Sequence, residues 1–262
     1  MCLLKMRKTI IAGNWKMYKT IAEAIELANG LKRELFELDS ELIDIVICPP
    51  FTAISEVAEV AVDSNIQVGA QDTYWQDEGA FTGEVSPLML KEAGCKFVII
   101  GHSERRQYFN ETNESVNKKI KAVLKHELTP IVCVGENLKE REAGETFKVL
   151  DDHVKNSLKE LNNDEILKIV IAYEPVWAIG TGKTATPNQA QEAHKYIRDL
   201  LTRMYNKERA DEIRIQYGGS VKPENIRELM SQPDVDGALV GGASLTVDSF
   251  IKIVKTASEV RK

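Results

Sequence analysis

The feature that most constrains the fold of this chain is an alternation of short β-branched runs with longer amphipathic segments. Eight such runs occur in 262 residues, and no linker or low-complexity segment divides them. This alternation is typical of parallel strands joined by crossover helices. The predicted strands are Thr9 to Trp15, Ile43 to Cys48, Ile66 to Ala70, Phe97 to Ile100, Ile131 to Val134, Ile169 to Ala172, Arg214 to Gln216 and Gly237 to Val240.

Local signals predict where several helices begin. Ser86-Pro87 supplies an N-cap followed by a proline at the first helical position. Ser103 is predicted to cap the helix after the fourth strand. The stretch Thr186-Pro187-Asn188-Gln189 has the pattern of a capping box after the sixth strand.

The number of strand–helix units defines the fold class. Eight units in about 250 residues match a single (β/α)8 barrel, an α/β fold. We therefore predict one catalytic barrel domain over residues 8–262, preceded by an extension at residues 1–7 that ends just after a second methionine, Met6. An open doubly wound sheet is the alternative, although no GxGxxG motif follows the first strand to favour a dinucleotide site.

Composition excludes several classes of protein. A net charge of −6 argues against a nucleic-acid partner because no basic face dominates, and no run approaches the length of a membrane span. The four cysteines form no CxxC pair and the histidines do not cluster, so we expect neither a metal site nor a disulfide framework. The start of the chain is too short and too charged for a signal peptide, and we predict a cytoplasmic protein.

Four polar residues follow predicted strands at the end where barrel enzymes carry their active sites. Asn14 and Lys16 follow the first strand, His102 the fourth and Glu174 the sixth. Each alone has an ordinary explanation as a solvated or locally hydrogen-bonded residue. Because the carboxyl ends of all the strands meet at one mouth, their convergence favours a catalytic interpretation.

The segment after Glu174 has the composition of a lid. Residues 175–185 begin with Pro175-Val176-Trp177, continue through glycines and end in small residues. Such a loop closes about its short ends, and its apolar side chains exclude water. Exclusion of water is expected to raise the basicity of a neighbouring carboxylate.

Two glycine pairs indicate a phosphate site. Tyr217-Gly218-Gly219-Ser220 follows the seventh strand and Gly241-Gly242 follows the eighth. Glycine allows the main-chain N–H groups to approach an anion closely, and barrels commonly hold phosphate after these two strands. A single Gly-Gly pair indicates only a tight turn, but two at these positions favour a phosphorylated substrate.

From about Lys8 to the C-terminus, the chain resembles the triosephosphate isomerase family, whose fold is the TIM barrel. The motifs that carry this resemblance are Ala12-Gly13-Asn14-Trp15-Lys16-Met17, Gly79-Ala80-Phe81-Thr82-Gly83-Glu84, Gly101-His102-Ser103-Glu104-Arg105-Arg106, Ala172-Tyr173-Glu174-Pro175-Val176-Trp177 and the two glycine loops. Their order and their positions at strand ends make the match specific. It implies interconversion of dihydroxyacetone phosphate and glyceraldehyde 3-phosphate in glycolysis and gluconeogenesis, without metal or organic cofactor.

The resemblance also implies roles for individual residues. Glu174 would be the catalytic base, His102 the electrophile and proton relay, and Lys16 a fixed positive charge at the substrate. A helix opening at Ser103 would keep His102 neutral. The remaining substrate-binding residues would be Asn14, Gly180, Ser220, Gly241 and Gly242.

Further residues receive supporting roles by the same resemblance. Glu104 would position Lys16 and His102 or serve only the first helical turn, and Cys133 would pack beneath the site. The segment from Gln71 to Val85 resembles a dimer loop, with Thr82 at its tip reaching a partner in a homodimer. Asp72 and Tyr18 stand where the family commonly has asparagine.

Other interpretations make different demands on the sequence. A glycosidase needs a second carboxylate at a strand end, and the seventh strand ends in Tyr217-Gly218-Gly219-Ser220 without one. A barrel that only binds a sugar phosphate or a protein has no need of a base and an electrophile together. Most simply, the other histidines and two arginines are solvated or structural: Arg105, Arg106, His126, His153 and His194.

Overall fold

A computed structural model describes residues 7–180 and 184–260; residues 1–6 of the predicted extension and 181–183 of the predicted lid lie outside it. Eight parallel strands pair in chain order and the last pairs with the first, which closes the barrel. The strands are β1 Thr9–Asn14, β2 Ile43–Cys48, β3 Ile66–Ala70, β4 Phe97–Ile100, β5 Thr129–Val134, β6 Val170–Tyr173, β7 Arg214–Tyr217 and β8 Gly237–Val240. The predicted (β/α)8 barrel is confirmed, and the open sheet is excluded.

Helices cover the outside of the barrel in the described part of the chain. They are α1 Ile21–Leu35, α2 Ile54–Ala61, α3 Pro87–Glu92, α4 Ser103–Tyr108, α5 Asn113–Lys125, α6 Leu138–Glu142, α7 Thr146–Ser157, α8 Pro187–Met204, α9 Lys207–Glu212, α10 Ile226–Met230 and α11 Val247–Val260. Short 3-10 turns lie at Phe51–Ala53, Ile166–Lys168, Val176–Ala178 and Gly242–Ser244.

Two of the three predicted helix starts are confirmed and one is wrong. The Ser86 side chain accepts the N–H of Met89, and Thr186 forms the capping box that opens α8. Before α4, however, the cap is His102, whose ring Nδ1 accepts the N–H of Glu104. Ser103 is already the first helical residue, because the imidazole nitrogen occupies the place that a hydroxyl oxygen would take.

Strand alternation divides the apolar core into two layers. Successive side chains of a strand point to opposite faces, so every second residue of each strand faces the barrel axis. One buried cluster contains such alternate residues: Ile10, Ala12, Val46, Cys48, Phe97, Ile99, Ile131, Cys133, Val170, Ala172 and Leu239. The intervening residues pack outward against the helices in a larger cluster. The inner apolar layer fills the middle of the barrel, and polar residues lie at its two ends.

Ion pairs close the end of the barrel where the strands begin. Asp44 on β2 contacts Lys8 at 2.6 Å and Arg214 at 2.5 Å. Asp236, just before β8, contacts Arg7 at 2.7 Å and Arg198 of α8 at 2.8 Å. These pairs tie the first residues of several strands together.

Arg7 also donates to the main-chain oxygens of Asp211 and Pro233, so the last residue of the predicted extension is bound to the barrel.

Among the described residues, no helix is both long enough and apolar enough to span a membrane.

Candidate active site

The site lies at the end of the barrel where the strands finish. Glu174 continues the inward-facing series of Val170 and Ala172, and Asn14 continues the series of Ile10 and Ala12. A cavity of about 490 Å³ opens there. It is lined by every residue predicted to be catalytic or substrate-binding, namely Asn14, Lys16, His102, Glu174, Gly180, Ser220, Gly241 and Gly242. The structure therefore brings together around one cavity the residues that the sequence predicted to converge.

Glu174 is buried and in direct contact with His102. Its Oε1 lies 2.9 Å from His102 Nε2, and its Oε2 accepts the main-chain N–H of Ser103 at 2.9 Å. The side chains of Glu174 and His102 are only 2% and 7% exposed, so water does not screen their interaction. The carboxylate is held against β4 by the helix start and by the imidazole.

The pKa of Glu174 lies below its ordinary value in this arrangement. Burial is the largest influence and raises the pKa, but His102, the N–H of Ser103 and Lys16 together lower it by more. Burial acts in the expected direction on Glu174, but in this position of the carboxylate the neighbouring donors outweigh it. Hydrogen-bond donors replace the lost water and favour the charged form.

His102 has one ring nitrogen committed to the backbone. Its Nδ1 accepts the N–H of Glu104 at 3.2 Å, so the neutral ring carries its proton on Nε2, facing Glu174. Burial lowers the pKa of His102, and the nearby carboxylate of Glu174 outweighs this and raises it. The helix start alone would favour the neutral ring, and the increase depends on contact with Glu174.

Lys16 is held at the mouth by its own strand and by α4. Its Nζ lies 2.5 Å from Glu104 Oε1, and its main-chain N–H donates to Asn14 Oδ1 at 3.0 Å. Its backbone has a φ of 51°, an unusual conformation for a residue other than glycine. Gln71 stabilises this turn by donating to the oxygens of Lys16 and Cys48. Glu104 therefore holds the ammonium group beside the cavity, while Asn14 and Gln71 hold the main chain of Lys16.

Glycine is needed at Gly218 because Glu174 lies directly against it. A Cβ on this residue would come within 2.9 Å of Glu174 Cγ. The N–H of Gly218 donates to the oxygen of Tyr173, which joins the ends of β7 and β6. After β8, the 3-10 turn that begins at Gly242 is held by Ser244, whose side chain and main-chain N–H both bind the oxygen of Gly241.

The first turn of the predicted lid is anchored on a buried carboxylate, Glu136. Trp177 Nε1 donates to Glu136 Oε1 at 2.9 Å, and the hydroxyl of Tyr173 donates to the same carboxylate. The N–H of Val176 donates to the main-chain oxygen of Glu136. Burial raises the pKa of Glu136 above its ordinary value despite these donors.

The residues predicted to have supporting roles lie outside the cavity. Cys133 is fully buried at the end of β5 and lines a second cavity of about 620 Å³ on the other side of Glu174. Burial raises the pKa of its thiol well above the ordinary value. Glu104 lies behind the cavity, between Lys16 and His102. Thr82 is exposed at the tip of its loop.

Two arginines and two histidines are more tightly bound than the sequence indicated. Arg105 contacts Asp72 at 2.7 Å, and Arg106 donates to the oxygen of Gly101 at 2.9 Å, so neither is simply solvated. Burial lowers the pKa of both His153 and His194 to about 4. These residues have structural partners that a linear sequence does not reveal.

Several residues that line the cavity were missed as site residues. They are Tyr18, Leu239, Lys222 and Leu245. Strand alternation carries the signal for Leu239, which faces inward two residues before Gly241. The others lie on loops, where no periodicity predicts the direction of a side chain.

A buried carboxylate, an imidazole, a lysine and glycine loops around one cavity define a barrel enzyme suited to moving protons on a small anion. Within residues 7–180 and 184–260, no group of three or more histidine, cysteine or acidic side chains is placed to hold a metal ion.

Comparison with known proteins identifies the family. The model of the triosephosphate isomerase family matches residues 9–257. Triosephosphate isomerase of Moorella thermoacetica is 59% identical over 249 residues, which cover 95% of this chain and 98% of that protein. The enzymes of Trichlorobacter lovleyi and a Thermoanaerobacter species are 57% and 56% identical, each over 95% of this chain and 99% of their own length. The chain belongs to the triosephosphate isomerase family.

Proposed function

We propose that this chain interconverts dihydroxyacetone phosphate and D-glyceraldehyde 3-phosphate, the reaction used in glycolysis and gluconeogenesis. The observation that carries the proposal is the meeting of Glu174, His102 and Lys16 at one cavity whose rim is formed by two glycine loops. The first three groups suit proton transfer beside a carbonyl, and the glycine loops suit a phosphate. Family membership supplies the identity of the triose.

Glu174 is the proposed base. It removes a proton from the carbon next to the carbonyl and returns it to the neighbouring carbon, which converts ketose to aldose through an enediolate. To reach the substrate, the carboxylate must leave the N–H of Ser103 and the ring of His102. Because those contacts lower its pKa, leaving them for a site closed to water makes it a stronger base.

His102 is the proposed electrophile. Its Nε2 lies 2.9 Å from Glu174 Oε1, and the substrate carbonyl takes the place of this oxygen when the carboxylate moves. The contact that raises the pKa of His102 is then lost, while burial and the N–H of Glu104 at Nδ1 still favour the neutral ring. A neutral imidazole donates its proton to one substrate oxygen and recovers one from the other.

Lys16, Asn14 and the glycine loops are proposed to bind the negative charges. Lys16 stabilises the enediolate and the phosphate, and Asn14 donates a hydrogen bond to the substrate. Gly180, Ser220, Gly241 and Gly242 surround the phosphate with main-chain N–H groups and one hydroxyl. A chain with a net charge of −6 must hold a dianion by such local donors rather than by its overall field.

We also infer that the active form is a cytoplasmic homodimer. Large apolar side chains are exposed near the mouth and on the segment 71–85: Met17 is 94% exposed, Tyr18 58% and Phe81 40%. The segment is pre-shaped by a stack of Tyr74 on Trp75, with ring centroids 4.1 Å apart. A second copy would cover these side chains and receive Thr82 beside its Asn14 and Lys16. Sedimentation that shows a fully active monomer at micromolar concentration would contradict this inference.

A coupled assay tests the function directly. Purified protein, treated with a chelator, is given glyceraldehyde 3-phosphate, and dihydroxyacetone phosphate is detected through an NADH-dependent reductase. We expect turnover without added metal. A matched preparation of the Glu174→Gln variant controls for contaminating isomerase, and equal rates from both preparations would contradict the proposal.

A further inference from the structure

Both main-chain groups of Gly101 are bound by side chains from the segment that follows β4. Its N–H donates to Glu111 Oε2 at 2.9 Å, and its oxygen accepts from Arg106 Nε at 2.9 Å. Gly101 directly precedes His102 in the chain. The peptide that leads into His102 is therefore held from two sides.

The guanidinium of Arg106 packs closely against Gly101. Gly101 has a φ of 74°, which glycine adopts readily and other residues rarely do. A Cβ added there would lie 3.1 Å from Arg106 Nη2 and 3.0 Å from Val116 Cγ2. The guanidinium thus packs against the bare face of the glycine, and this turn sets the direction in which the next side chain points.

The remaining bonds of Arg106 reach other elements at the mouth. Nη1 donates to Asn113 Oδ1 at 2.8 Å, and Nη2 lies 3.5 Å from the oxygen of Cys133 at the end of β5. Arg106 makes no ion pair with any carboxylate in the described part of the chain. The guanidinium of Arg106 is therefore stabilised by hydrogen bonds to neutral oxygens at the mouth, and these bonds offset part of the cost of burying its charge.

We propose that Arg106 is a positioning residue that aims the imidazole of His102 by holding the main chain of Gly101. The effect passes from the guanidinium to the Gly101 oxygen, through the peptide to His102, and so to the place of Nε2 opposite Glu174. This proposal rests on the function proposed for His102. Arg106 does not line the cavity shared by Glu174 and Lys16, so the proposed role is indirect and acts through His102.

Arg106→Lys tests the proposal because it keeps the positive charge but removes the Nε–H that binds Gly101. The two Nη groups are lost with it, and the Asn113→Ala control measures the loss of the Nη1 bond separately. A lysine carries a methylene where arginine has Nε–H, which leaves the Gly101 oxygen without its donor. We expect kcat to fall roughly ten- to a hundredfold, since small misplacement of a catalytic group has effects of this size, with KM nearly unchanged. In protein labelled with ¹⁵N-histidine, the Nε2 and Nδ1 signals of His102 should shift, while those of His194 stay in place.

Two controls separate positioning from a general loss of structure. Asn113→Ala removes the partner of Nη1 but leaves the bond to Gly101, so it should lower thermal stability with kcat within about threefold of the parent. Arg227→Lys makes the same substitution in a surface pair with Glu259 and should change neither kcat nor the His102 signals. A kcat loss in Asn113→Ala equal to that in Arg106→Lys would overturn the specific role of the Gly101 bond.

Chemical rescue provides a second, independent test. The 620 Å³ cavity is lined by Arg106, so Arg106→Ala leaves a space that small solutes can enter. Millimolar ethylguanidinium should restore part of kcat and return the His102 signals towards those of the parent, whereas ethylammonium of equal charge should not. Rescue by both cations alike, or unchanged kcat and His102 signals in Arg106→Lys, would overturn the proposal. The histidine signals do not depend on turnover. A parent protein without isomerase activity would contradict the proposed function, whereas unshifted His102 signals in Arg106→Lys would contradict the positioning role.

Discussion

The two ends of the barrel both bury charged side chains, but they pair them in different ways. Where the strands begin, Asp236 is bound by Arg7, by Arg198 and by the N–H of Ile215. Where the strands end, Glu174 is bound by the imidazole of His102 and by one N–H, and no arginine within residues 7–180 and 184–260 contacts it. The first carboxylate is surrounded by permanent charges, whereas the second is held by groups of lower charge.

This difference indicates what each end can do. A carboxylate bound by two guanidinium groups cannot move without exposing several buried charges, which makes it a fixed joint between strands. Glu174 can leave an imidazole and an N–H at smaller cost, and a substrate carbonyl can take its place at His102. We therefore expect variants of the first end to change stability, and variants of the second to change turnover.

Glu174→Gln should give the largest effect and isolates turnover from folding. The amide oxygen still accepts the N–H of Ser103 but cannot take a proton from carbon. Loss of a general base predicts a fall in kcat of about 10²–10⁴-fold, or more if no other group substitutes. Thermal melting should change little. Near-normal kcat in this variant would contradict the proposal that Glu174 is the base.

Arg198→Met tests the opposite end of the comparison. Its guanidinium binds Asp234, Asp236 and the main-chain oxygens of Ala210 and Ile213, and its removal leaves buried acceptors without donors. We expect the free energy of unfolding to fall by about 3–5 kcal/mol, measured by urea denaturation, with kcat of the folded fraction unchanged.

A matched lysine on the same helix controls for loss of charge. Lys195→Met removes a surface pair with Asp199 and should leave stability nearly unaltered. A large loss of kcat in folded Arg198→Met would contradict the division of roles between the two ends.

Lys16→Ala should have the next largest effect on turnover among substitutions at the mouth of the barrel. It removes the fixed positive charge beside the cavity and leaves Glu104 without its 2.5 Å partner. We expect kcat/KM to fall by about 10²–10³-fold, with both a lower kcat and a higher KM, because the charge faces the phosphate and the enediolate alike. The comparison variant is Lys118→Ala, whose ammonium pairs with Glu114 on the surface. If Lys16→Ala changed only the melting temperature, the proposed role of Lys16 would be wrong.

The strands, and the residues that line the cavity from the strand ends, could be predicted from sequence. Both follow from the alternation of inward-facing and outward-facing side chains along a strand. Once Val170 and Ala172 face inward, Glu174 must face inward too, and the same rule places Asn14. The state of Glu174 could not be predicted, because its pKa depends on the N–H of Ser103 and the ring of His102. Nor could the binding of Gly101 by Arg106 and Glu111, since hydrogen bonds between a strand end and the following loop leave no periodic signal.

Acid sensitivity gives the smallest expected effect and involves His194 on α8. Its Nδ1 lies 3.1 Å from the oxygen of Asp234, and burial is the main cause that lowers its pKa from 6.5 to about 4. The unfolded chain therefore binds a proton at higher pH than the folded chain does. Stability from this group is complete above pH 6.5 and is lost progressively as the pH falls to about 4. The displacement corresponds to roughly 3 kcal/mol.

Urea denaturation at a series of pH values measures this loss. The slope of unfolding free energy against pH between 6.5 and 4 should be smaller in His194→Gln, whose amide keeps a donor for the Asp234 oxygen but does not titrate. His153 at the other end has a similarly low pKa, but it lines the 620 Å³ cavity and is less deeply buried. Because both pKa values are lowered to about 4, His153→Gln should nevertheless reduce the slope by a similar amount. An unchanged slope in His194→Gln would show that the acid sensitivity does not come from the histidine beside the charged network around Asp234 and Asp236.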